Sequence, residues 1–162
     1  ISTGYVKEHD RILVNGFEGT VKHIKMLSTI VSTLTHENLI IPNSQLMENV
    51  VHNYSFDDRR IVVINTISVS YKSDLDKVIQ VMIDCVQSNP FLLKDPAPIA
   101  RVESFDDSGI SMKLLCWIND INNKQEFIAW VNLELWRSFK NENIEIPFPQ
   151  MDLHIKRTPK LD

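Results

Sequence analysis

The spacing of apolar residues changes once along this chain, and that change constrains the fold more than any other feature. Residues 10–55 contain short β-branched runs separated by turn residues, whereas longer strand and helix patterns follow the polar stretch Phe56-Asp57-Asp58-Arg59-Arg60. The two patterns indicate packing units of different architecture. The chain has 162 residues, 43% of them apolar, which is enough for two small cores. We therefore predict an α+β protein with a β domain at 1–56, an αβ domain at 57–149 and a C-terminal segment at 150–162.

Turn residues divide the first unit into short strands. Asn15-Gly16 and Glu18-Gly19 are predicted to supply the positive φ angles that tight turns require. Thr29 to Thr33 is rich in β-branched residues, which fit a pleated surface. These features predict a small β barrel or sandwich.

The second unit alternates strands with amphipathic helices. A strand is predicted over 61–71, then a helix capped by Ser73 or Asp74, then a hairpin that turns at 106–109 and returns through 110–118. A second helix is predicted over about 124–141 and a short segment over 144–146. Strand, helix, two strands, helix and a short strand is the order of a ferredoxin-like αβ sandwich.

The second predicted helix carries two tryptophans beside its apolar face. Phe127, Val131 and Leu135 share that face, and Trp130 and Trp136 flank it. The tryptophans either complete the edge of the domain's own core or contact a neighbouring subunit, because this helix carries more apolar surface than one face requires. Both interpretations stay open at this stage.

The C-terminal segment alternates apolar and polar side chains. Met151, Leu153 and Ile155 alternate with residues that are polar or charged, which is typical of a strand. No local partner strand is predicted for it, and a lone strand exposes unpaired backbone groups, so we expect it to pair with other chains. Pro147 and Pro149 are predicted to hold the preceding linker extended.

Motifs for catalysis are missing from the sequence. No HxH or HExxH spacing, no GxSxG, no GxxxxGK[ST] and no GxGxxG occurs, and the cysteines Cys85 and Cys116 lack CxxC spacing. We expect no catalytic residue, no metal and no cofactor. A net charge of −4 without a basic stripe indicates no nucleic-acid partner, and no apolar run approaches the roughly 18 residues that span a bilayer.

Several short sequence motifs occur in an order that is typical of one protein family. They are Ile41-Pro42-Asn43-Ser44, Asn53-Tyr54-Ser55, the stretch 69–75, Asp95-Pro96-Ala97-Pro98 and the stretch 146–154. Together they make the chain similar to the cytoplasmic region of small-conductance mechanosensitive channels, the MscS family. The residues that match the family motifs are Gly19, Pro42, Asn43, Asn53, Ser55, Tyr71, Asp74, Pro96, Pro98, Pro147, Pro149 and Gln150. The resemblance implies architectural roles for them, in turns, linkers and subunit packing.

The resemblance also implies an assembly. It predicts a small Sm-like β barrel, a ferredoxin-like αβ sandwich, and a C-terminal strand that joins an intersubunit parallel β barrel. Seven subunits would enclose a vestibule on the cytoplasmic face of the inner membrane, below transmembrane helices that are expected upstream of Ile1. The whole channel would release ions and small osmolytes on hypo-osmotic shock. Asp57, Asp58, Arg59 and Arg60 are candidates for the vestibule openings, although local ion pairing at the domain joint is the simpler interpretation.

The sequence departs from the family pattern at two places. His9-Asp10 stands where the family usually has Gly-Asp, which puts the geometry of residues 1–9 in question. The turn Thr35-His36-Glu37-Asn38 lacks the family's usual glycine, and we predict that Asn38 takes the left-handed conformation there.

A second hypothesis treats the chain as a free-standing module. A small β barrel followed by a ferredoxin-like unit can bind RNA or a small ligand in other proteins. The sequence has no strand with alternating surface aromatics, which argues against RNA. Apolar segments of about 20 residues directly upstream of Ile1 would favour the channel.

Overall fold

Two antiparallel sheets, one after the other along the chain, form the frame of the protein. The computed structural model describes residues 4–154. The first sheet has five strands in the order β4-β3-β2-β1-β5, namely β1 (Arg11–Val14), β2 (Phe17–Ile24), β3 (Ser28–Ser32), β4 (Asn38–Pro42) and β5 (His52–Asn53). A six-residue helix that the sequence did not predict, α1 (Asn43–Glu48), connects β4 to β5.

Alternation along the strands places one apolar face of this sheet against α1 and the segment that precedes β1. The buried members of this core are Val6, Ile12, Val14, Val21, Val31 and Ile41. The hairpin between β1 and β2 turns at Asn15 and Gly16, whose φ angles of 50° and 80° confirm the predicted turn. The strand order leaves β4 and β5 as the two edges within the described residues.

Gly19 does not lie in a turn, so the prediction that it supplies a positive φ angle is wrong. It lies inside β2 opposite Ile12, and it is absent from the residues with positive φ among those described. A Cβ atom at this position would lie 2.6 Å from the carbonyl oxygen of Ser32 and 2.6 Å from Cγ1 of Val31. The position requires glycine because β3 approaches it closely.

Histidines take the strained backbone positions at both departures from the family pattern. In the turn 35–38, His36 has a φ of 64°, whereas Asn38 begins β4 as an ordinary strand residue. The prediction that Asn38 takes the left-handed conformation is therefore wrong, because His36, two residues earlier, takes it. His9 has a φ of 73°, so it adopts the conformation that the family's glycine would take most easily.

The second sheet has the strand order β6-β8-β7, with two helices against it. Its elements are β6 (Ile61–Val69), α2 (Leu75–Val86), β7 (Ile99–Phe105), β8 (Ile110–Ile118), a short 3-10 helix (Ile121–Asn123) and α3 (Lys124–Asn141). The two helices and the long strand pattern agree with the sequence prediction. The predicted segment 144–146 forms neither a strand nor a helix, and a 3.0 Å hydrogen bond from Ser70 N to Glu145 O links it to the residue that follows β6.

Apolar faces of both helices meet the sheet in one core. Val78, Met82 and Val86 of α2 are buried there, as are Phe127, Val131, Leu135 and Phe139 of α3. This core is larger than that of the first sheet, so the αβ domain buries most of the apolar surface of the chain. Among residues 4–154, no helix combines the length and the apolar character needed to cross a membrane.

Candidate functional site

Asn43 ties the hairpin between β2 and β3 to the start of α1. Its Nδ2 donates to the carbonyl oxygens of Lys25 and Met26, at 3.0 and 3.2 Å, and its Oδ1 accepts from the Thr29 hydroxyl at 2.8 Å. The preceding Pro42 ends β4, so the chain turns directly from strand into helix. The Asn43 amide thus bonds two carbonyl groups of the β2–β3 turn and one hydroxyl group of β3. Only a side chain with both donors and an acceptor can do this, which explains an asparagine at the position.

Asn53 and Ser55 hold the segment that leads into β1. Asn53 Nδ2 donates to the Tyr5 carbonyl oxygen at 2.9 Å and to Asp10 Oδ2 at 2.7 Å, and its Oδ1 accepts from Ser55 N. Ser55 Oγ accepts from Arg11 N at 3.1 Å. Asp10, which is 7% exposed, also belongs to this network, and the sequence analysis did not predict that role. The aspartate of the family's Gly-Asp pattern, which this chain keeps at position 10, could have indicated it.

Tyr71 and Asp74 organise the two ends of the β6–α2 connection. The Tyr71 hydroxyl donates to the Asp106 carbonyl oxygen at 2.6 Å, and its ring stacks on Phe105 at 6.4 Å between centroids. Asp74 is the N-cap of α2, because its carboxylate accepts from the backbone nitrogens of Asp76 and Lys77. The prediction that Ser73 or Asp74 caps this helix is confirmed for Asp74.

The proline-rich linker lies against the β7–β8 hairpin. A Cβ atom on Gly109 would lie 2.6 Å from Pro147 Cγ, so the hairpin glycine leaves room for the linker. Gln150 N donates to Ser108 Oγ at 3.2 Å, while Pro149 is exposed. Sequence reasoning treated Gly109 only as a turn residue and did not predict this contact. In the Asp95-Pro96-Ala97-Pro98 segment before β7, Pro98 is buried and Pro96 is exposed.

The four charged residues of the domain joint are all exposed and partly paired. Arg60 forms an ion pair with Asp58, and Arg59 Nη1 lies 3.3 Å from Asp120 Oδ2. Hydrogen bonds from the Arg60 backbone N–H and then its guanidinium group hold the pKa of Asp58 below its ordinary value. Asp57 has no ion pair among the described residues. The joint therefore places two aspartates and two arginines, of equal and opposite formal charge, at the protein surface.

The two tryptophans of α3 have different surroundings. Trp130 is half-buried and packs against the core of the αβ domain. Trp136 is 52% exposed, with the Lys140 ammonium group 5.2 Å from its ring centroid. Leu133 is also exposed on this helix. An exposed tryptophan beside an exposed leucine makes an apolar surface that residues 4–154 do not cover.

The C-terminal segment is exposed as far as it is described. Met151 and Leu153 are 80% and 75% exposed, and residues 151–154 form no strand within the chain. Ile155, the third predicted contact residue, lies outside the described residues. Two large apolar side chains in a segment without a local partner are available for contact with another molecule.

Groups that could support metal or redox chemistry are scarce in the described part of the chain. No cluster of three histidine, cysteine, aspartate or glutamate side chains with metal-binding geometry occurs in residues 4–154. Burial raises the pKa of both Cys85 and Cys116 to about 12. A thiol with such a raised pKa carries little thiolate near neutral pH, so both cysteines are poor nucleophiles.

We expect both thiols to react with a disulfide reagent at about pH 8 only when the chain unfolds, since the thiolate is the reactive form. Because burial penalises the thiolate only in the folded state, the folding stability does not depend on the ionisation of the two thiols well below their ordinary pKa of 9.0, and it falls as the pH rises from there towards about 12. Urea titrations at about pH 8 and pH 10, compared with a Cys85→Ala, Cys116→Ala variant, measure this loss. Equal loss in the variant would contradict the assignment to the thiols.

Comparisons with known proteins match two consecutive stretches of the chain to family models. Residues 1–56 match the family model described as "Mechanosensitive ion channel, beta-domain", and residues 63–146 match "Mechanosensitive ion channel MscS, C-terminal". Both descriptions define one class of protein, the mechanosensitive ion channels. The second match covers more than half of the chain, and the chain belongs to the MscS family.

Individual relatives belong to the same family, and a solved structure has the same fold. The chain is 32% identical over 165 residues to an uncharacterized MscS family protein of Synechocystis, covering 98% of this chain and 53% of the relative. It is 28% identical to a small-conductance mechanosensitive channel of Edwardsiella ictaluri, covering 91% and 51%. The crystal structure of closed-state Helicobacter pylori MscS has the same fold, with a TM-score of 0.80 at 21% identity, covering 94% of this chain and 60% of that one. The chain thus spans about half the length of the two relatives.

Proposed function

We propose that this chain is the cytoplasmic region of a tension-gated channel that releases ions and small osmolytes on hypo-osmotic shock. The observation that carries the proposal is the ordered match of two MscS family models over residues 1–56 and 63–146. Helices in the rest of the protein would form the pore in the inner membrane and sense its tension. In this account no residue is catalytic and no cofactor is needed. Family membership favours this function over a free-standing RNA- or ligand-binding module.

The function requires an assembly, and we propose a homoheptamer. Within residues 4–154, the strand order of the first sheet leaves one side of β4 and one side of β5 without a partner strand, which supports an Sm-like barrel whose edges pair between subunits. The β6-β8-β7 sheet with both helices supports a ferredoxin-like sandwich, which would wall the vestibule over residues 57–149. Apolar Trp136 and Leu133 would lie between neighbouring subunits.

Openings between subunits near the domain joint would let solutes enter the vestibule. Asp57, Asp58, Arg59 and Arg60 are exposed, as a lining of such openings requires. Replacing both Asp57 and Asp58 with asparagine should shift permeation away from cations, because fixed charge at a narrow opening biases the local ion concentration. Reversal potentials of the whole channel in asymmetric salt measure the shift. Asp106→Asn with Asp107→Asn is the matched control, and unchanged potentials in the Asp57 and Asp58 variant would contradict the placement.

The tail at 150–162 would close the base of the vestibule as one strand of a parallel barrel. A barrel with one strand per subunit satisfies its backbone groups only when closed, so the tail should stabilise the assembly. We expect truncation after Gln150 to dissociate the assembly at concentrations where the parent stays intact, with little change in the folding midpoint. Light scattering across a dilution series measures this. An assembly of unchanged stability would contradict the role of the tail.

The whole function is tested in a bacterial strain that lacks its own mechanosensitive channels. We expect the full-length protein that contains this chain to produce tension-activated currents in excised membrane patches and to rescue cells from hypo-osmotic shock. A matched control is the same protein with Phe127→Ala, which removes a fully buried side chain of the αβ core. Absence of tension-activated current from well-expressed protein would overturn the proposal.

A further inference from the structure

A depression of about 580 Å³ lies on the outward face of the first sheet, opposite its apolar core. Strands β1, β2 and β3 form its floor, and the segment before β1 and the β3–β4 turn form its rim. Its lining is rich in basic and hydroxyl side chains, namely His9, Arg11, Thr20, Lys22, His23, Ser32, Thr33 and His36, with Val21 and Leu34. Such a concentration of basic groups is unexpected in a chain of net charge −4.

The floor of the depression is a row of three polar side chains across three strands. Arg11 pairs with Thr20 in the register of β1 and β2, and Thr20 pairs with Ser32 in that of β2 and β3. Arg11 is only 8% exposed. Its Nε donates to Glu18 Oε1 at 3.1 Å and its Nη1 to Thr20 Oγ1 at 3.4 Å. A guanidinium group has five donors, so several remain for a ligand at this floor.

A break in the strand pairing places further basic groups at the rim. The register between β2 and β3 shifts between Val21 and His23, so Lys22 lies at a β-bulge, a device that re-aims side chains beside binding sites. Backbone bonds from His9 N to Val21 O and from Val21 N to Asp10 O continue the ladder towards the same rim. His36 approaches from the β3–β4 turn.

We propose that this depression binds a phosphate group, and that protonation of its three histidines strengthens the binding. Arginine, lysine and hydroxyl donors on a concave surface suit phosphate oxygens. Histidine is the side chain whose charge ordinarily changes between pH 5 and 8. The proposal is independent of the channel function, because all of its groups belong to one β domain.

Nearby carboxylates make the dependence on pH strong. Glu18 pairs with Arg11, and Glu8 Oε1 lies 3.4 Å from His23 Nδ1. Glu37 lies in the turn next to His36 and accepts from the Thr35 hydroxyl. With neutral imidazoles these carboxylates outnumber the arginine and the lysine, whereas three protonated imidazoles make the depression net positive. Asp10, whose carboxylate accepts from Lys7 N and Asn53 Nδ2, adds a fourth carboxylate beside the depression, so five basic side chains face four carboxylates when all three imidazoles are protonated.

Calorimetric titration of the 162-residue chain with inorganic phosphate tests the proposal. We expect the Kd to be at least about tenfold lower at about pH 6 than at about pH 8. Phosphate itself gains negative charge as the pH rises, so its own titration would produce the opposite trend. Vesicles of phosphatidylcholine with and without phosphatidic acid, assayed by sedimentation at both pH values, distinguish a lipid headgroup from free phosphate as the source.

Two variants locate the site without disturbing the fold. His9→Asn with His36→Asn should reduce the pH dependence to the part that His23 contributes, because asparagine tolerates the positive φ of both positions but does not titrate. Lys22→Gln should weaken binding severalfold at both pH values. Lys72→Gln, at an exposed position outside the depression, is the control that should change nothing. Absence of binding to both probes at about pH 6, or equal binding by parent and variants, would overturn the proposal.

Discussion

Replacing Gly19 with alanine is expected to destabilise the β domain by about 2 to 3 kcal/mol. The new methyl group would lie 2.6 Å from the Ser32 carbonyl oxygen, which belongs to the backbone of β3 and cannot move without breaking the sheet. It would also lie 2.6 Å from Val31 Cγ1 in the core. Urea unfolding, followed by a probe placed in the β domain, measures the change in the free energy of unfolding.

Gly16→Asn is the matched control for this experiment. Gly16 has a φ of 80° and no atom within 4 Å of an added Cβ, and asparagine tolerates the left-handed region. We expect that variant to stay within about 0.5 kcal/mol of the parent. A Gly19→Ala variant as stable as the control would show that β2 and β3 are less closely packed than the geometry indicates.

Trp130→Ala and Trp136→Ala should have opposite consequences although both lie on α3. Trp130 packs on the core, so its loss should cost about 3 kcal/mol of folding stability. Trp136 is about half exposed, so its loss should change the stability of the monomer by less than about 1 kcal/mol and weaken the proposed assembly instead. Urea unfolding and light scattering, applied to both variants, separate the two effects.

Each outcome of the tryptophan experiment bears on one interpretation. Normal assembly by Trp136→Ala would remove this residue from the proposed subunit contact. Assembly loss with normal folding in Trp130→Ala would place that residue at the contact instead of the core edge. Sequence spacing put both side chains beside the apolar face of α3, and it was silent on which of them the core covers.

Local patterns predicted much of the architecture. The bounds of α3, the hairpin at 106–109 and the cap at Asp74 each depend on residues close together in the chain, so periodicity and capping chemistry were sufficient. The turn at Asn15-Gly16 was predicted for the same reason. The short segment predicted at 144–146 does not become a strand, because its backbone bonds go to Ser70 and to Phe139 at the end of α3 and form no ladder with a neighbouring strand.

The sequence by itself determined the long strand and helix pattern of the second sheet and the turn at Asn15-Gly16, because those choices follow from interactions between near neighbours along the chain. Only the tertiary structure decided why Gly19 must be glycine, what Asn43 and Asn53 bind, and that Arg11, Thr20 and Ser32 form one row. These facts depend on which segments come together across long sequence separations. Packing and sheet register set those contacts, and no pattern within a single segment encodes them.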